Sequence, residues 1–351
     1  MPSQPPLPHL LTPYVSSPPR SSLTTVSAVL GATGNWLILR FLIAALTDAG
    51  SGFRGLEEER KRKVVLVSFL RGWEFWRSEA KRLGVDLARL TEKRQFAFVD
   101  GLSELFSAPN ASALSAQSQH FGTGATPRTT LPVRPHPGQA SLRQPPPQTV
   151  GFNGPFNCPP QIAEETGPVK RLHFSGNGIA ALDALEKDVT TVIDQLKAPR
   201  PGEDGEESEV LLVVDQPDLL LAATGPSKGI GATEMAEWIM GLQQVATATI
   251  VTISVDSPLI HNASAFAHQT ATPLETEHAA FTVGLAHRSE MVMQLRNLET
   301  GAARDVSGVL RVSKGGAWGQ RENASEESWE EKEVLYFVQR DGGVSVFGRG
   351  E

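Results

Sequence analysis

Two short stretches hold the residue types around which nucleotide chemistry is usually built. The first, "GATGNWLI" (Gly31–Ile38), lies between two apolar runs. A phosphate-binding loop reads GxxxxGK[ST]: backbone N–H groups cradle the phosphates, a Lys reaches their outer oxygens and a hydroxyl holds magnesium. Registered on Gly31, with Gly34 inside the turn, the three decisive positions are Trp36, Leu37 and Ile38. None of these side chains can do phosphate chemistry. The second stretch, "VLLVVDQPDLLL" (Val210–Leu221), is an apolar strand ending in Asp215, where a Walker B segment presents its carboxylate to magnesium. The next position, a water-activating Glu in many ATPases, is Gln216. Both halves read as architecture retained and chemistry disabled.

A third stretch imitates a dinucleotide site. "TGPSKGIG" (Thr224–Gly231) matches the TGxxxGIG turn of short-chain dehydrogenases, but that turn should follow the first strand, and this one lies past mid-chain. Those enzymes also need a Tyr-x-x-x-Lys pair, and the two tyrosines, Tyr14 and Tyr336, have no Lys at that spacing. The eight histidines form no HExxH, so no zinc site or other metal is expected, and no GxSxG elbow is present. The single cysteine, Cys158, excludes an intrachain disulfide. One basic tract stands out. From Arg288 to Arg321 six basic residues (Arg288, Arg296, Arg304, Arg311, Lys314, Arg321) face three acidic ones, with Gly301, Gly308, Gly315, Gly316 and Trp318 interleaved. Loops of that kind could approach a phosphate backbone and bind it in a salt-sensitive way.

The elements that must position these residues alternate. Strand-like runs cover Val64–Leu70, Phe96–Asp100, Val169–Phe174, Val210–Asp215 and Ala248–Val255, nearly continuous apolar runs of the kind buried on both faces of a parallel sheet. Helical stripes lie between them: Trp73, Trp76, Ala80 and Leu83, then Ile179 through Leu196, then Thr233–Val245. After His287 the pattern turns to short strands, with Asp341-Gly342-Gly343 a hairpin turn. The fold class expected is therefore α/β, with a mostly parallel sheet flanked by helices and C-terminal antiparallel hairpins.

Seven prolines in the first 20 residues mark 1–22 as a flexible head, and 12 more between Ser107 and Pro168 mark 107–168 as a disordered insertion in one domain spanning 23–351. A formal charge of −7 argues against a polycation that coats nucleic acid, and 40% apolar content suffices for a sizeable core. No targeting segment is expected, because the Pro-rich start lacks a basic stretch followed by an apolar run, and no membrane span, because Gly31, Thr33, Gly34, Asn35 and Arg40 interrupt the most apolar window. A soluble intracellular protein is the expectation.

Taken in order, "GATGNWLILRFL", "VVLVSFLRGWEFWRSEAKRLGVDL", "FAFVDGLSELF", "VVDQPDLLL", "LRNLETGAARDVSGVLRVSKGGAW" and "EKEVLYFVQRDGG" resemble subunit six of the Elongator complex in a fungal version. The resemblance covers most of the chain outside the Pro-rich head and the insertion. It implies a RecA-like fold, related to P-loop NTPases, without working Walker residues. It implies assembly with subunits four and five in a heterohexameric ring, two copies of each, that joins the larger Elongator subunits and binds tRNA. The complex modifies wobble uridines of the anticodon, and residence in the cytoplasm, and in the nucleus as well, follows from that membership. No cofactor belongs to this chain on that reading, since acetyl-CoA and radical chemistry sit in the catalytic subunit. Arg296, Arg304, Arg311 and Lys314 are then the expected tRNA contacts. Two alternatives stay open at this point: a ring ATPase with an atypical phosphate loop, and a dinucleotide-dependent oxidoreductase.

Overall fold

The computed structural model describes residues 7–47, 62–107, 167–199, 208–260, 271–299, 301, 303–320 and 329–348. Most of the segment read as an insertion, Cys158 and Arg321 lie outside these residues. Among the described residues ten strands form one sheet: β1 (Ser22–Ala28), β2 (Lys63–Ser68), β3 (Phe96–Asp100), β4 (Lys170–Arg171), β5 (Val210–Asp215), β6 (Ala248–Ser254), β7 (Met291–Arg296), β8 (Gly308–Lys314), β9 (Lys332–Val338) and β10 (Val344–Phe347). Their order is β10-β9-β8-β7-β1-β6-β5-β2-β3-β4. From β7 to β4 every pairing is parallel, while β7–β8, β8–β9 and β9–β10 are antiparallel.

Strand period and burial explain why the parallel strands are apolar throughout. Along β2, Val64 and Leu66 point into one core and Val65 and Val67 into the other. The first core packs α1 (Thr12–Val15), α2 (Asn35–Thr47), α3 (Trp73–Arg82) and α4 (Leu87–Glu92) against the sheet. The second packs α5 (Gly178–Lys197), α6 (Asp218–Thr224), α7 (Ala232–Val245) and, after a single turn α8 (Ser257–Ile260), α9 (Pro273–Arg288). The result is an α/β architecture with helices on both faces of a mostly parallel sheet, consistent with a RecA-like fold.

Three particulars differ from the sequence expectation. The Pro-rich head is not free of the body from Leu7 onward: Leu11, Tyr14 and Val15 are buried in the first core, and Tyr14 Oη donates to Glu330 O at 2.8 Å. Apolar side chains spaced between the prolines give that segment enough buried area to dock. Next, β7 opens the C-terminal series yet pairs parallel to β1, because α9 returns the chain across the sheet. The N-terminus of α9 is fixed by a reciprocal cap, in which Thr272 Oγ1 accepts from Glu275 N and Glu275 Oε2 accepts from Thr272 N. Finally, the run Val169–Phe174 yields only two paired residues, Lys170 and Arg171, as befits a sheet edge.

Candidate functional site

The strand order puts a crevice where nucleotide folds place theirs. From β1 the chain passes through α2 to β2, on one side, whereas β6 leads through α9 to β7 on the other side of β1. Ligands of open α/β sheets bind outside the carboxyl ends of strands at such a reversal. Here a cavity of about 150 Å³ opens between the β1–α2 loop and the ends of β2, β5 and β6, lined among others by Leu30, Gly34, Ile38, Arg71, Asp215, Gln216 and Asp256. Sequence-distant Gly34, Ile38, Asp215 and Gln216 therefore do come together. Trp36 and Leu37 do not join them.

Each position that would have held phosphate serves packing instead. Trp36 is buried and its ring centroid lies 4.9 Å from that of Tyr336. Burial pushes the Tyr336 hydroxyl up to about 12 against the opposing effect of the Trp36 indole. Leu37 and Ile38 are core residues of the first face. Their N–H groups donate to Gly34 O at 3.0 and 3.1 Å, the ordinary opening of a helix. Gly31 sits at φ +89, and a Cβ there would come within 3.3 Å of Asn297 Oδ1. The loop is tied from outside as well. Leu30 N donates to Asp256 Oδ1 at 2.7 Å, and Asn297 Nδ2 donates to Leu30 O at 3.0 Å.

Asp215 is equally committed. Register places Ser68 of β2 and Thr252 of β6 on its two flanks. Ser68 Oγ donates to Asp215 Oδ2 at 2.7 Å and Thr252 Oγ1 to Oδ1 at 2.8 Å, while Arg71 Nη1 stands 3.7 Å from Oδ2. The carboxyl group is almost wholly buried, and that desolvation raises its pKa despite the lowering effects of Ser68, Arg71 and Thr252; nearby Asp218 pushes it up further. Magnesium sites keep water and open carboxylate oxygens. Both oxygens of Asp215 already have protein partners. Gln216 adopts φ +58, its N–H bonds Thr252 Oγ1 at 3.0 Å, and Ser254 Oγ donates to its Oε1 at 2.6 Å. Its amide cannot act as the general base a Glu would supply at that position.

Ser68, Arg71, Thr252, Asp256 and Asn297 carry no motif that singles them out in the sequence. A hydroxyl at the end of each strand flanking Asp215 is a visible signal, but only register makes it meaningful. Deeper in the second core, Asp218 Oδ2 accepts from Ser254 N at 3.3 Å and stands 3.5 Å from His278 Nε2.

The dehydrogenase-like turn meets α7 at an N-terminus that is already occupied. Gly231 N donates to Glu234 Oε2 at 2.9 Å and Ala232 N to Glu277 Oε2 at 2.7 Å, so two carboxylates stand where a pyrophosphate would lie. Among the described residues no group of three or more His, Cys, Asp or Glu could hold a metal. No helix of the described residues is long and apolar enough to cross a membrane.

The four candidate nucleic-acid contacts do not form one patch. Arg296 and Arg311 share a face of the antiparallel section, since Arg296 pairs with Val309 and Gln294 with Arg311. Arg296 is engaged by Glu333 at 2.6 Å and Glu299 at 3.5 Å, whereas Arg304 and Arg311 are exposed. Lys314 lies at the opposite end of β8, its Nζ 4.7 Å from the Trp318 ring. Three of the interleaved glycines serve close approach. A Cβ on Gly315 or Gly316 would overlap the carbonyl oxygens of Ser289 and His287, and one on Gly308 would lie 2.6 Å from Tyr336 Oη. Gly308 lies within β8 rather than in a loop, and Gly315 and Gly316 belong to the turn that follows it.

No protein-family model matches the chain. Over 187 residues it is 28% identical to "Elongator complex protein 6" of Rattus norvegicus. The matched region is 53% of this chain, which thus spans about 61% of that protein's length. The matched protein is of the same kind as the one the sequence motifs resemble.

Proposed function

We propose that the chain is a non-catalytic subunit of the Elongator complex, joining subunits four and five in a heterohexameric RecA-like ring that holds tRNA for wobble-uridine modification. Residues 23–351 would act as one RecA-like unit interrupted by the 107–168 insertion. The observation that carries the non-catalytic part is the occupancy of Asp215, both of whose oxygens are bonded to Ser68 and Thr252 within a crevice that lacks a phosphate-binding Lys. The similarity to an Elongator subunit supplies the complex. Exposed Arg304 and Arg311 are the better candidates for phosphate contact, and Arg296 and Lys314 the weaker, because Glu333 and the Trp318 ring already engage them. Nuclear and cytoplasmic residence follows from that membership.

The test is the native mass of the chain co-expressed with the other two small Elongator subunits, by size exclusion with light scattering. A particle holding all three in equal number supports the reading. A chain that stays monomeric beside those partners removes it.

A further inference from the structure

A second cavity, of about 260 Å³, opens between α2, α3 and the turn joining β9 to β10, and shares Thr33 and Asn35 with the crevice beside Asp215. Its apolar wall is Trp36, Leu39, Leu83 and Val338, with the Tyr336 ring 4.9 Å from that of Trp36. That volume falls just under the roughly 300–1,000 Å³ usual for small-molecule sites, so it suits a one-ring molecule rather than a nucleotide. The polar groups around it lack acceptors. Tyr336 lines the cavity at 2% exposure, and its hydroxyl proton has no acceptor among the described residues. With its pKa pushed up to about 12 by burial, that hydroxyl stays a donor at neutral pH. The first turn of α2 adds the N–H groups of Asn35 and Trp36, which donate to nothing among the described residues. Behind the wall, Arg40 is 1% exposed. Its Nη2 donates to Gly342 O at 3.2 Å, while Nε and Nη1 have no partner among the described residues. The Glu79 carboxylate on the cavity wall is engaged by Arg82 at 2.8 Å. A buried guanidinium without a counter-ion is costly, and an anion beside it offsets that cost.

We propose that this cavity binds a small aromatic carboxylic acid, its ring against Trp36 and Leu39 and its carboxylate drawn to the Tyr336 hydroxyl, the start of α2 and the charge of Arg40. The indole wall selects a planar ring. The unpaired donors and the unbalanced guanidinium select an anionic head over a neutral one. The site is independent of ring assembly, so its failure leaves that reading standing.

Fluorine NMR titration of the full chain with 4-fluorobenzoate, and with 4-fluorobenzyl alcohol as its neutral counterpart, tests it. Saturable line broadening by 4-fluorobenzoate at about millimolar concentration is expected, with binding of the alcohol about tenfold weaker. Tyr336→Phe and, separately, Arg40→Met should each lower the affinity for 4-fluorobenzoate about fivefold or more and leave that for the alcohol unchanged. Thermal melting checks that each variant folds, and where one does not, the wild-type comparison of acid and alcohol decides. No saturable binding of 4-fluorobenzoate below about 10 mM overturns the site. Equal binding of acid and alcohol, or acid binding that neither folded variant lowers, overturns it as well.

Discussion

At the residue scale Asp215, which stands where a Walker B segment would present its carboxylate to magnesium, is bonded within the protein. Asp215 stitches three adjacent strands at their carboxyl ends through Ser68, Thr252 and Arg71. Replacing it by Ala leaves two buried hydroxyls and a guanidinium without their acceptor, so Asp215→Ala should cost about 3 kcal/mol of stability in chemical denaturation. The isosteric Asp215→Asn adds a pH signature. Burial raises the Asp215 pKa in the folded chain, so its protonated form is favoured there, and the native carboxyl contributes most below its unfolded pKa and loses that contribution as pH rises through the folded value. Relative to wild type, the Asn variant should therefore gain stability as pH rises from the unfolded carboxyl value, about 4, toward the raised folded one. A flat or falling difference across paired denaturation curves would speak against the burial account.

At the element scale, the join between α9 and the end of β8 leaves no room for a Cβ at Gly315 or Gly316. Gly315 N donates to Glu290 O at 2.8 Å, Gly316 N to Ala286 O at 3.2 Å and Ala317 N to Ser289 O at 3.0 Å, which satisfies carbonyls at the end of α9. A methyl group on either glycine would meet main chain, which cannot swing aside as a side chain can. Gly315→Ala should destabilise by about 3 kcal/mol, measured as a shift of the denaturation midpoint. Gly284, inside α9, behaves oppositely, because a methyl group there would meet nothing within 4 Å. Gly284→Ala should stabilise by about 0.5–1 kcal/mol, the helix-propensity difference. The strands of this sheet are readable from their apolar runs because both faces are covered. The helix α9 is not legible in the same way, since only one side of it is buried, at His278, Phe281, Thr282 and Leu285, and its stripe is interrupted by polar residues.

At the scale of the whole molecule a chain of net charge −7 is proposed to hold a polyanion, so contact must come from a local basic surface. If Arg304 and Arg311 each meet a phosphate, the double Glu variant should flatten the dependence of log affinity on log salt by about 2. Fluorescence anisotropy with tRNA across a salt series measures this. An unchanged slope removes both residues from the interface.

The sequence by itself determined the alternation of buried strands and helices, the Leu37 and Ile38 that stand where a phosphate loop has Lys and Ser/Thr, and the strand-ending Asp215. Those are properties of residue type and period, and they survive without coordinates. Only the tertiary structure decided what those positions do. Trp36 packs on Tyr336, 300 residues away; Asp215 is satisfied by Ser68 and Thr252 from two other strands; and Glu277 of one helix caps the start of another. Contacts between residues so distant along the chain depend on strand order and register, and neither is encoded in any local window. A local rule separates two of the basic candidates instead: Arg311 and Lys314 are three residues apart, an odd spacing that strand alternation sends to opposite faces.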